Sequence, residues 1–144
     1  MKINVFYKTD IKPYYRKTSV LKKAARKASG ALSKKRGELN IIAVSPGEIL
    51  KINKNFLGHA YVTDVITFAY PAENKEGAPL GDVYVCFEQA KKQAAQEGHG
   101  VLLEFFIVCV HGVLHLAGYD DKTKEARAKM NARAKKISLQ ALGN

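Results

Sequence analysis

The chain has 144 residues, 47% of them apolar, and a formal net charge of +11. This is about one ordinary domain, with enough apolar content to build a core without disulfides. Two cysteines, Cys86 and Cys109, each flanked by apolar residues, argue against a disulfide scaffold and for a reducing compartment.

The first segment, "KINVFYK" (2–8), alternates and predicts a strand. It lacks the continuous apolar block of a signal peptide. "SVLKKAARKASGALSKK" (19–35) predicts an amphipathic helix. Val20, Leu21, Ala24, Ala25, Ala28 and Leu32 share one face, opposite Lys22, Lys23, Arg26 and Lys27. "ELNIIAVS" (38–45) reads as a strand stopped by Pro46, which opens a predicted helix over 46–58. "TDVITFAY" (63–70), rich in β-branched and aromatic residues, reads as a third strand. A Pro- and Gly-containing loop then leads to a fourth, "LGDVYVCF" (80–87), a spacing that suits an antiparallel pair.

Three helices follow in the reading: a polar one over 88–98 ending at Gly98, an apolar one over about 101–117, and a closing one over 122–142. In the last, Ala126, Met130, Ile137 and Ala141 can pack inward, leaving Arg127, Lys129, Arg133 and Lys136 for solvent or a partner. The longest apolar stretch, around 105–116, is shorter than the ~20 residues of a membrane span and contains two histidines. The expectation is a soluble, cytoplasmic α+β protein over 1–144: one domain, a small mixed four-stranded sheet and about five helices.

Charge is unevenly distributed. Residues 1–36, 37–121 and 122–144 carry balances of +11, −6 and +6. Cationic ends around an anionic centre suit a protein that binds a polyanion such as nucleic acid and also holds a cation.

The centre contains "HGVLHLAGYDD" (111–121). His111 and His115 are one helical turn apart on one face, so both imidazoles can reach a single metal at ~2.0–2.1 Å. Gly118 can end the helix in a left-handed conformation and turn the chain so that Asp121 supplies a third ligand. Three protein ligands leave a position open, as in catalytic rather than structural sites. The spacing is also that of metzincin proteases, but their general-base glutamate is replaced here by Gly112, which removes the protease reading.

Three segments together resemble one family. "HGVLHLAGYDD" is similar to the H-G-x-L-H-L-x-G-Y-D-H signature of the YbeY endoribonucleases of bacterial ribosomal RNA maturation. "INKNFLGHAYVTDVITFAY" (52–70) and "LGDVYVC" (80–86) resemble that family's L-N-x-x-Y-R-x-K-D-x-x-T-D-V-L-S-F and L-G-D-I-x-I-C/S segments, in the same order. The resemblance implies a small mixed sheet with surrounding helices and a metal-dependent, single-strand-directed endoribonuclease acting on ribosomal RNA. Its partners would be ribosomal RNA and the ribosome. It also exposes two departures. Asp121 stands where the family has a third histidine; a carboxylate can bind zinc at ~2.0–2.2 Å but makes the site harder and more tolerant of manganese. Asp120 is the substitute ligand if Asp121 points elsewhere. Leu57 stands where the family carries an arginine important for activity, and leucine cannot hold a phosphate; Lys54, His59 or a basic residue from either end would have to.

Other residues admit two readings each. Gly112 serves close approach of a substrate backbone or tight helix packing. Glu104, two turns before His111, is a hydrogen-bond partner for an imidazole or a favourable first-turn charge. Asp64 and Asp82 orient ligands near the metal or make local backbone bonds. Thr63 and Thr67 line a cleft or serve the strand. His59 and His99 read as surface loop residues, and Cys109 as core.

The expected mechanism uses one divalent ion, zinc by preference, on His111, His115 and Asp121. No side chain presents itself as a general base, so hydroxide on the metal is the simplest nucleophile. The alternative is a non-catalytic RNA- or ribosome-binding protein that keeps the fold and the metal; a small-molecule hydrolase has no use for the basic flanks.

Overall fold

The structure is a computed structural model, which describes residues 1–71 and 73–143. Four strands, β1 (Lys2–Tyr7), β2 (Glu38–Val44), β3 (Val65–Ala69) and β4 (Pro79–Cys86), form one mixed sheet in the order β1-β2-β4-β3. β1 and β4 both pair parallel with β2, and β3 pairs antiparallel with β4. The central strands are covered on both faces, which suits the near-continuous apolar runs of β2 and β4.

Five helices surround the sheet: α1 (Thr18–Ala28), α2 (Pro46–Ile52), α3 (Phe87–Glu97), α4 (Val101–Leu116) and α5 (Lys124–Gly143). The main core lies between the sheet and α1, α4 and α5, around Phe105, Phe106, Leu21, Met130 and Ile137. A smaller one lies beneath α2, built on Ile42, Val44, Ile49, Ile66 and Cys86. α4 is apolar almost all round because α1, α3, α5 and the sheet all pack on it. None of the helices in the described residues is, by itself, long and apolar enough to cross a membrane.

The architecture matches the expected α+β class, and two predicted helices are shorter than expected. Over 19–35 the α-helix stops at Ala28, and a 3₁₀ segment continues over Gly30–Lys34. The Ser29 hydroxyl donates to the Arg26 carbonyl there, and Gly30 has φ +53°. Over 46–58, α2 passes at Ile52 into a single π turn, Asn53–Leu57, ended by Gly58 at φ +72°.

Two polar features are structural. Asn4, Asn40 and Asp82 form an in-register ladder across β1, β2 and β4, with Nδ2 of Asn4 donating to Asn40 Oδ1 (2.9 Å) and Nδ2 of Asn40 to Asp82 Oδ1 (3.0 Å). Tyr70 donates its hydroxyl to the other Asp82 oxygen (2.7 Å), and that bond lifts the phenol to a pKa of about 12. Asp82 is thus a sheet residue; neither ligand orientation nor a local backbone bond describes its side chain. Gly112 is the second. A Cβ on it would lie 2.5 Å from Val83 Cγ1, 3.1 Å from Val65 Cγ2 and 3.3 Å from Thr67 Cγ2. The glycine lets α4 lie against β3 and β4, and it is buried; it is not available to a substrate backbone.

Candidate metal centre

α4 ends in a way that places the acid. The amide of Tyr119 donates to the Leu114 carbonyl (3.0 Å) and that of Gly118 to the His115 carbonyl (3.1 Å). With Gly118 at φ +104°, these two bonds make a Schellman motif. The chain doubles back through Asp120, whose carboxylate accepts from the Lys122 amide (3.0 Å). Asp120 is occupied in this turn, and Asp121 is the one that faces the histidines.

One ligand atom each from His111, His115 and Asp121 lie within 4.8 Å of one another. The His115 Nε2 to Asp121 Oδ2 distance is 3.8 Å, too long for a hydrogen bond. Two ligands each ~2.1 Å from a tetrahedral ion stand about 3.4 Å apart, so small side-chain adjustments close the set. The His111 and His115 rings meet edge to face at 4.9 Å. Among the described residues, neither ring hydrogen-bonds to another protein group, and no lysine or arginine pairs with the Asp121 carboxylate. Burial is the main force pushing the His111 pKa below its ordinary 6.5, and His115 adds to it, against the opposing charges of Asp64 and Asp121. A neutral imidazole is the form that binds a metal. Two nitrogens and one carboxylate oxygen make a chemically suitable set for a divalent ion, so the structure contains a possible metal-binding triad.

A cleft of about 340 Å³ extends from His111 along the outward face of α4, between α3 and α5. Asp64, at the entry to β3, shares it with Gln93, His99, Glu104, Asn131 and Lys135. The Gln93 side-chain nitrogen donates to both Asp64 Oδ2 (3.2 Å) and Glu104 Oε2 (3.1 Å). The other Glu104 oxygen is bonded to His99 Nε2 at 2.5 Å. Glu104 therefore holds His99, and no bond to His111 or His115 forms; His99 is a partly buried partner rather than a surface residue. Asp64 lines the cleft with His111, and its charge acts on that imidazole. Thr63 contacts Asp64 through its hydroxyl (3.5 Å), whereas Thr67 packs its methyl toward Gly112. Cys109 is fully buried in the main core, and desolvation pushes its thiol pKa up. His59 and Leu57 are exposed near the turn at Gly58. Gln93, Asn131 and Lys135 had no signal in the sequence: each sits on a polar helix where a solvent-facing residue looks the same.

A family model described as endoribonuclease YbeY matches residues 7–142. The chain belongs to the endoribonuclease YbeY family. It is 49% identical over 142 residues to an endoribonuclease YbeY of Elusimicrobium minutum, covering 97% of this chain and 99% of that one. To that of Chlorobaculum tepidum it is 40% identical over 97 residues, covering 67% and 69%. A Thermotoga maritima protein solved in solution has the same fold, with TM-score 0.65 and 27% identity over 98% of this chain and 89% of that one. The family-model match takes in β2, β3, β4, α4 and the turn to Asp121 together.

Proposed function

We propose that this chain is a metal-dependent, single-strand-directed endoribonuclease of ribosomal RNA maturation and ribosome quality control, working in the cytoplasm. Family membership supports the reaction, and the convergence of His111, His115 and Asp121, with His111 also lining the cleft, is the observation that carries the metal dependence. Zinc is the proposed ion, because two imidazoles and a carboxylate suit it, while the carboxylate leaves manganese a competitor. When bound there, the ion supplies Lewis-acid polarisation of the scissile phosphodiester and acidifies water.

The protein's own contribution is placement. α4 fixes the two imidazoles one turn apart, and the Gly118 motif fixes the acid opposite them. Burial keeps His111 available as a neutral donor. Lysines and arginines of α1 and α5 hold the polyanion, so binding weakens steeply with salt. Leu57 cannot clamp a phosphate, and Lys54 and His59, both exposed and close to it in the sequence, are the candidates to do so.

Purified protein loaded with zinc should cut unstructured ribosomal RNA segments. His115→Ala should abolish cutting while RNA binding persists. Leu57 motivates the alternative, a non-catalytic RNA- or ribosome-binding protein, and RNA binding without cleavage by the metal-loaded wild type would establish it instead.

A further inference from the structure

The segment between α2 and β3 exposes rings that the core does not need. Phe56 is 69% exposed and Tyr61 53% exposed, and the exposed His59 ring lies 5.3 Å from that of Tyr61. Such apolar surface in water is unfavourable unless something covers it. The loop that carries it is nevertheless firmly built. Asn53, 2% exposed, donates its side-chain nitrogen to the Tyr61 carbonyl (2.9 Å) and accepts the His59 amide on its own carbonyl (3.2 Å). Gly58 makes the left-handed turn between them, and Phe56 leans edge to face on Phe68 at 5.6 Å. A buried asparagine thus braces a loop whose rings point outward.

Charge narrows the occupant. From Ile49 to Thr63 the chain has Lys51 and Lys54 and no acid. Exposed ring faces on a stretch that carries lysines and no acid between Glu48 and Asp64 complement unpaired bases on a phosphate backbone. The position fits too: Tyr61 is three residues from Asp64, at most about 11 Å of chain, and Asp64 shares the cleft with His111. One strand can lie on both.

We infer that Phe56 and Tyr61, with His59 against Tyr61, form a stacking platform that seats unpaired RNA bases next to the cleft. This inference rests on the nuclease reading for its direction, since it assigns the platform to the substrate. It explains single-strand preference physically, because paired bases do not offer their faces.

The test uses the full chain and a single-stranded RNA oligomer carrying 2-aminopurine, with chelator present so that the strand stays intact. Stacking quenches the probe, and anisotropy gives the affinity. Wild type should bind and quench. Tyr61→Ala and Phe56→Ala should each weaken binding by about tenfold and remove quenching. Tyr61→Phe should retain both, and Phe56→Leu, which keeps the apolar contact with Phe68, should behave like Phe56→Ala. Wild-type affinity and quenching in both alanine variants would overturn the platform and leave that surface to a protein partner. Cleavage of the same oligomer by zinc-loaded wild type is scored separately. Cutting without any effect of the alanine variants on binding sinks the platform alone; ring-dependent binding without cutting sinks the nuclease reading alone.

Discussion

Among the described residues two histidine–carboxylate clusters flank the two ends of α4, His99 with Glu104 at its start and His111, His115 and Asp121 at its end. They differ in what is left to bind. His99 and Glu104 close on each other at 2.5 Å, with side chains 18% and 7% exposed, and Gln93 takes the second carboxylate oxygen. His115 and Asp121 stop at 3.8 Å, with side chains 28% and 47% exposed, and His111 stands beside them with no hydrogen bond from the described residues. The first cluster is satisfied by protein. The second leaves three ligand atoms within 4.8 Å of one another and no hydrogen bond between them. Composition alone does not separate them; saturation does.

The sharpest way to break this contrast is to truncate each cluster and measure zinc affinity. His111→Ala should weaken it well beyond the 10–100-fold typical of losing a supporting group, whereas Glu104→Ala should change it less than about tenfold. Stability should reverse the order. In metal-free protein, Glu104→Ala should lower unfolding free energy by about 2–3 kcal/mol, because it strips charged hydrogen bonds from a buried group. His115→Ala should cost about 1 kcal/mol or less, since it breaks no hydrogen bond within the described residues. Denaturant titration of both variants checks the reversal.

Gly112→Ala probes the other face of the same helix. A methyl 2.5 Å from Val83 Cγ1 should cost roughly 1–3 kcal/mol by overpacking, against about 1 kcal/mol regained in helix propensity. Thermal melting should show a net loss, and metal stoichiometry should hold.

The triad was legible because it is local. Eleven residues contain the helical spacing, the glycine and the acid, and hydrogen bonding within one chain reversal sets their geometry. Strand alternation, Pro46 and Gly98 likewise marked their elements from short-range chemistry. What escaped depends on partners far along the chain. Gly112 is explained by Val83, Val65 and Thr67, and Asp82 by Asn40 and Tyr70. His99 lies in the loop where the sequence places it, but it read as surface because its partner, Glu104, lies in the first turn of α4, where Gln93 of α3 also reaches it. The break at Gly30 and the change from α to π turn at Asn53 were hidden inside runs with good helical periodicity.

The smallest expected effect is in pH dependence. Folding lowers the His111 pKa below 6.5, so as pH falls the unfolded chain takes up this proton first. The stability due to neutral His111 is complete above 6.5 and is lost as pH drops from there through the folded value. In metal-free protein, His111→Gln should flatten that part of the stability profile, while the Glu104 cluster remains intact.

The central claim is that His111, His115 and Asp121 bind one divalent ion together. Elemental analysis of unchelated protein, followed by zinc titration of chelator-stripped protein, tests it most directly. One equivalent per wild-type chain, absent in His115→Ala, is the predicted result. No uptake by the wild type, or equal uptake by the variant, would contradict it.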